Sequence, residues 1–212
     1  SKVDAVILSH AHLDHCGTLP ILAKNGFKGK IYCTPATADI AKYLLLDSAE
    51  IQKQDANYFN RRLAGGKSPI SPITRTKRRV KKRFISSIYT KEDVKNTFEH
   101  FERTPYFRES NKWTELNGNI RFKLYDAGHI LGSAITLVEV KEDGIIKTLA
   151  FTGDLGRDSL PILRSPERIQ EDVGTLLMEC TYGDRNHRQM SDVANELKDV
   201  ITAAILKKSK II

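Results

Sequence analysis

Ser9-His10-Ala11-His12-Leu13-Asp14-His15 gathers three of the chain's six histidines and one aspartate into a single turn. It follows directly on a largely apolar run, Val3 to Leu8, that reads as a strand. Imidazole and carboxylate are the groups that zinc and similar divalent ions take as ligands. In a tight turn at a strand end, His10 and His12 can face one way while Asp14 and His15 face another, which suits two metal ions better than one. The ordinary alternative is a surface loop rich in histidine. Half of the histidines of a 212-residue chain in one turn weighs against it.

Two later segments repeat the logic. Asp126-Ala127-Gly128-His129 follows one strand-like run and precedes another, so a loop can carry His129 back to the first cluster. Phe151-Thr152-Gly153-Asp154-Leu155-Gly156 is again a strand, a sharp glycine turn and a carboxylate at its tip. Alone, a Gly-Asp turn is a common β-turn. Together the segments bring four histidines and two aspartates to strand ends, the inventory of a two-metal hydrolase. Cys16 reads as a small packing residue beside the cluster. His100 and His187 read as ordinary surface residues.

At 212 residues the chain can bury a real core. No apolar stretch approaches the roughly 20 residues needed to span a bilayer. Cys16, Cys33 and Cys180 are odd in number and far apart, which points to reduced thiols and a cytoplasmic setting rather than a disulfide framework. The net charge of +8 is unevenly spread. Between Gly65 and Ile88 stand Lys67, Arg75, Lys77, Arg78, Arg79, Lys81, Lys82 and Arg83 with no acid among them. These eight equal the whole excess of base over acid. Such a run suits a nucleic-acid backbone, with Lys77, Arg78, Arg79, Lys81 and Lys82 at its centre; it is also what a solvated loop without a partner looks like.

The remaining pattern alternates helix and strand. Helical spacing runs from Asp14 to Asn25, with Leu19, Leu22 and Phe27 as core residues and Gly26 as the stop. Lys30 to Cys33 is a strand. Thr34-Pro35 opens a helix that runs, with a break allowed, to about Leu63. Thr90 with Asp93 caps another that reaches Phe101. From Trp113 the texture turns to strands: Trp113 to Leu116 and Ile120 to Tyr125 flank Asn117-Gly118-Asn119, and Ser133 to Val140 and Ile145 to Phe151 flank Lys141 to Gly144, two hairpins. A strand at Thr175 to Glu179, a helix from Ser191 to about Lys207 and an incipient strand at Ile211-Ile212 close the reading.

SHAHLDH, DAGHILGSA and FTGDLGR together resemble the signature of the metallo-β-lactamase fold. Glu179-Cys180-Thr181-Tyr182-Gly183-Asp184 resembles the opening of the β-CASP branch, whose members are nucleases that process RNA and DNA. The long insertion between His15 and His129 is similar to that of the group containing bacterial ribonucleases and the eukaryotic pre-mRNA 3′-end processing endonuclease. The fold implied is α/β, an αββα sandwich with helices outside two packed sheets. Residues 1–181 would form the core and 182–212 the start of a β-CASP domain. The resemblance also implies strands before residue 1 and further chain after Ile212, so that the sequence reads as a fragment truncated at both ends.

Carried onto this chain, the resemblance implies that His10, His12 and His129 bind a first zinc, Asp14 and His15 a second, and that Asp154 bridges them. Water activated between the two metals would attack phosphorus in line. Glu179 would support a histidine, beyond this sequence, that protonates the leaving oxygen; Asp14, Asp154 and Glu179 are thus the expected catalytic carboxylates. The expectation is a zinc-dependent phosphodiester hydrolase acting on RNA, single-stranded rather than duplex, with no membrane partner and with homo-oligomers open to it. A glyoxalase-like hydrolase of small esters or thioesters shares the metal motifs but needs neither the Glu179 segment nor the basic run. A non-catalytic RNA-binding relative would be expected to have lost ligands.

Overall fold

Side-chain alternation along two short strands sets the layers. In the first sheet, β1 (Ala5–Ile7), β2 (Lys30–Cys33) and β3 (Phe101–Arg103) lie parallel in that order. Val6, Ile31 and Cys33 join a core with the helices, while Ile7 and Tyr32 join a core with the second sheet. The computed structural model describes residues 2–64, 84–158, 160–186 and 190–211. It divides into two compact units, Ser1–Glu179 and Cys180–Ile212.

Four helices cover the outer face of the first sheet. The helical pattern after the histidine turn is split into α1 (Leu13–Cys16) and α2 (Leu19–Lys24), because Pro20 has no N–H to continue a ladder and sits in the opening turn of the second. The stop at Gly26 is left-handed, φ 84°. Next, α3 (Pro35–Ala64) runs unbroken for 30 residues, about 45 Å. The Thr34 hydroxyl caps it by accepting the Thr37 N–H at 3.2 Å. Its buried stripe is small-sided at Ala38, Ala41 and Ala49, with Leu45 the one large side chain named among them. Finally α4 (Lys91–Phe98) opens with a reciprocal capping box between Thr90 and Asp93.

That last helix ends at Phe98, not at Phe101 as expected. The spacing of the two phenylalanines suits one helix face, yet the edge of β2 competes for the same residues. Ile31 donates to the His100 carbonyl at 2.8 Å and Phe101 becomes the first residue of β3, its ring stacked 4.2 Å from that of Phe98. His100 is not an ordinary surface residue either. It is half-buried, with Nδ1 2.9 Å from the Gly29 carbonyl and its ring against Phe27.

The second sheet orders β4 (Thr114–Asn117), β5 (Ile120–Asp126), β6 (Ala134–Glu142), β7 (Ile145–Phe151) and β8 (Thr175–Leu177), antiparallel except for the parallel pair of β7 with β8. The first hairpin turns on Asn117, whose Oδ1 accepts the N–H groups of Asn119 and Ile120, each at 2.9 Å. The second turns on Asp143 and Gly144, both with positive φ. Phe122, Leu124 and Ala134 meet Ile7 and Tyr32 between the sheets. On the other face, Tyr125, Ile135 and Leu137 are covered by Phe107 from the one-turn α5 (Phe107–Ser110), by Trp113, and by Leu155, Ile169 and Val173 from residues 155–173. Lys123 fastens that cover: its buried ammonium pairs with Glu171 and lies 3.9 Å from the centre of the Phe107 ring. The described residues of the first unit therefore form a mixed α/β sandwich of two sheets.

In the second unit, α6 (Met190–Leu206) is the main element. Ile211 is not in a strand, and a ladder partner for it is absent among the described residues of that unit; Ile212 lies outside them. None of the described helices is long and apolar enough to cross a membrane.

Candidate metal centre

The histidine turn leaves β1 at the seam between the sheets. Leu8 donates to the Tyr32 carbonyl at 2.8 Å and Ser9 accepts the Ala134 N–H at 2.8 Å, so the turn is stitched to both sheets. His10 is fully buried there, with Nδ1 3.2 Å from the Ser9 hydroxyl.

Four of the expected ligands converge. His10 Nε2 lies 3.0 Å from His12 Nδ1, and His129 Nε2 lies 3.2 Å from the same atom. Asp154 Oδ2 is 3.7 Å from His10 Nε2 and 3.5 Å from His129 Nε2. One potential ligand atom from each of the four lies within 4.8 Å of the others. With metal–ligand bonds of about 2.0–2.1 Å, a tetrahedron has edges of about 3.3 Å. Three imidazoles and a carboxylate at these spacings could hold one divalent cation.

A second group adjoins the first. His15 Nε2 is 3.4 Å from Asp154 Oδ1 and 3.5 Å from Asp14 Oδ2, and its ring centre is 4.0 Å from that of His10. Asp154 thus turns one oxygen toward each group. Asp14 is largely exposed, its side chain at 77 %. Burial, then the neighbouring His15, lowers the pKa of His10 to about 4 against the opposing pull of Asp154. Burial also lowers that of His129. Both are consequently neutral near pH 7, the form that ligates.

Glycines allow the two later loops to meet. Gly128 has φ +63°, and a Cβ there would come within 2.6 Å of the Arg164 carbonyl; a Cβ on Gly156 would come within 1.7 Å of the Gly128 carbonyl. Within the first loop, Ser133 Oγ accepts the N–H groups of His129 and Ile130 at 3.0 and 3.2 Å. Glu179 Oε1 accepts the Leu155 N–H at 2.7 Å, beside Asp154. Cys16 stays out of the cluster. It is buried, donates to the Ala11 carbonyl at 3.1 Å, and burial pushes its thiol up to about 11.

Sequence reasoning missed part of this support. Thr34 was anticipated only as a helix cap, but its hydroxyl and that of Thr37 both donate to the Gly132 carbonyl, at 2.6 and 2.8 Å, tying α3 to the His129 loop. Those bonds span nearly a hundred residues, and no local pattern announces them. The basic run, with Lys77, Arg78, Arg79, Lys81 and Lys82, and His187 lie outside the described residues.

Residues 1–154 match the description "Metallo-beta-lactamase superfamily domain". The chain is 32 % identical over 213 residues to the transcription termination factor FttA of Pyrococcus horikoshii, covering 99 % of this chain and 28 % of that protein. It is 34 % identical over 181 residues to the RNase J-like protein of Methanocaldococcus jannaschii, covering 85 % of this chain and 32 % of that protein. Against the endoribonuclease YSH1 of Gibberella zeae, identity is 30 % over 216 residues, covering 100 % of this chain and 22 % of that protein. The chain spans about a fifth to a third of the length of these relatives.

Proposed function

Because the chain belongs to the metallo-beta-lactamase superfamily, we propose that it is the metal-bearing part of an RNA-processing phosphodiester hydrolase. The observation that carries this reading is the convergence of His10, His12, His129 and Asp154. The names of the relatives, an RNase J-like protein and an endoribonuclease among them, support RNA as the substrate class.

In this reading His10, His12, His129 and Asp154 hold one zinc, and Asp14 and His15 share Asp154 to hold another. When bound, the cations supply Lewis acidity toward a phosphoryl oxygen and lower the pKa of water. The chain's own residues do the rest. Burial keeps His10 and His129 neutral and available. Asp154 directs one oxygen to each group of imidazoles. Glu179 holds the backbone of the Asp154 turn through Leu155. Lys77, Arg78, Arg79, Lys81 and Lys82 hold the phosphates of a single strand. Cys16, Cys33 and Cys180 are unpaired, which supports a reducing, cytosolic setting.

The test sets labelled single-stranded RNA beside a thioester, with the polypeptide that carries this chain, before and after removal of metal. RNA cleavage that needs metal and disappears in Asp154→Ala is the expected result. Thioester turnover without RNA cleavage would overturn the reading in favour of a glyoxalase-like hydrolase.

A further inference from the structure

His129 lies in the loop 127–133 between β5 and β6, and both ends of that loop are tied to one short stretch of chain. At the far end, the Tyr106 hydroxyl donates to the Ser133 carbonyl at 2.9 Å. At the near end, Arg108 of α5 donates from Nη2 to Asp126 Oδ2 at 3.1 Å, and its Nη1 lies 3.0 Å from Glu167 Oε2. The guanidinium also lies over the Tyr106 ring, 4.4 Å from its centre.

Asp126 passes this hold onward. Its Oδ1 accepts the Gly128 N–H at 2.9 Å, fixing the backbone one residue before His129. Its own N–H donates to Glu167 Oε2 at 2.6 Å, and its carbonyl accepts the Glu167 N–H at 2.8 Å. Two carboxylates with side chains only 11 % and 25 % exposed therefore share one guanidinium. Alone together they would repel, and Asp126 would have to turn away or take up water. A guanidinium presents several donors in a rigid plane and serves both at once, whereas an ammonium is a point charge without that fork.

From this geometry we infer that Arg108 is a positioning residue for His129: through Asp126 and Gly128 it sets the loop conformation in which the imidazole meets His12 and Asp154. The inference rests on the reading of His129 as a metal ligand. Arg108 and Asp126 are not among the four clustered ligands, so their effect on a cation is indirect. Groups that orient a ligand from behind typically change metal affinity 10–100-fold when removed.

The experiment measures zinc affinity of the full chain by competition with a chromophoric chelator, and the visible bands of the cobalt(II) form, which report ligand geometry. Arg108→Met is expected to weaken zinc binding about 10–100-fold and to alter the cobalt bands, with Arg108→Lys recovering part of both. In a His129→Ala background, Arg108→Met is expected to add less than about twofold, since its route to the metal is gone. Lys123→Met removes the buried cation of β5, which packs on the Phe107 ring and lies outside the loop; it is expected to lower the thermal midpoint and leave zinc affinity alone. Wild-type affinity in Arg108→Met, an equal loss with or without His129, or an equal loss in Lys123→Met would each overturn the inference. Should Arg108→Met fail to fold, Asp126→Ala cuts the same path one bond later, and wild-type affinity there would overturn it equally. If His129→Ala itself binds zinc like the wild type, the reading of His129 as a ligand falls, a result distinct from failure at Arg108 alone.

Discussion

The Leu155 N–H, one residue beyond Asp154, donates to Glu179 Oε1 at 2.7 Å. The Glu179 N–H in turn reaches the Thr152 hydroxyl at 3.3 Å, so the chain leaving β8 and the turn leaving β7 hold each other. Glu179 therefore has a task inside this unit, besides the support of a distant histidine that the family resemblance implies.

The two tasks separate by substitution. Glu179→Gln keeps an acceptor oxygen for Leu155, so metal content after dialysis is expected to stay at the wild-type level. RNA cleavage by the polypeptide that carries the chain should nevertheless fall about 10²–10⁴-fold, the usual scale of a proton-transfer contribution. Glu179→Ala removes the acceptor and is expected to weaken zinc binding about tenfold. Unaltered zinc affinity in the alanine variant would show that the Asp154 turn stands without it.

The two groups of candidate ligands are unequal, and metal content should reveal it. The first offers four donors within 4.8 Å, one of them fully buried. The second offers His15, a shared Asp154 and the exposed Asp14. This chain is expected to retain at most one zinc through dialysis, and Asp154→Ala to retain less than one. Two tightly held ions per chain would refute the ranking.

Acid should destabilise the metal-free chain through His10. Its pKa is about 4 when folded, against an ordinary 6.5. Between those values the unfolded chain binds a proton that the folded chain refuses, so stability is present above pH 6.5 and falls as pH drops toward 4. The full window corresponds to up to about 3 kcal/mol. Urea midpoints measured across this range should slope less in His10→Gln than in the wild type. Parallel slopes would mean that His10 is not the titrating group.

The basic run carries a prediction from sequence alone. For single strands, log affinity falls with log salt by about 0.7 for each phosphate neutralised. Replacing Lys77, Arg78, Arg79, Lys81 and Lys82 with glutamine is expected to flatten that slope by roughly two to four, with little change in sequence preference. Binding to one RNA across a salt series decides it, and parallel lines would leave the run a solvated loop.

Local signals and distant ones fared differently as guides. The strand at Lys30–Cys33, the hairpins at Asn117 and Asp143, and the Thr90–Asp93 box were legible because turn and cap chemistry acts within four residues. The histidine turn was legible because its composition is improbable without a ligand. Phe101 was misread because its spacing from Phe98 fits a helix, and only the open edge of β2 decides otherwise. The Arg108–Asp126 pair, the Lys123–Glu171 pair and the threonine clasp on Gly132 left no trace, since each joins residues 18 to 98 positions apart. Long-range polar pairs have no period to read.

The ligand set also has a history within each molecule's synthesis. His12 and His129 are 117 positions apart, one following a strand of the first sheet and the other a strand of the second. Closing so long a loop is entropically unfavourable until the intervening contacts are in place. On the ribosome the histidine turn emerges long before His129 is made, so only part of the candidate set is present at first. Firm capture of a cation by these residues is therefore expected late in folding, and metal uptake that precedes sheet formation in a stopped-flow trace would refute this.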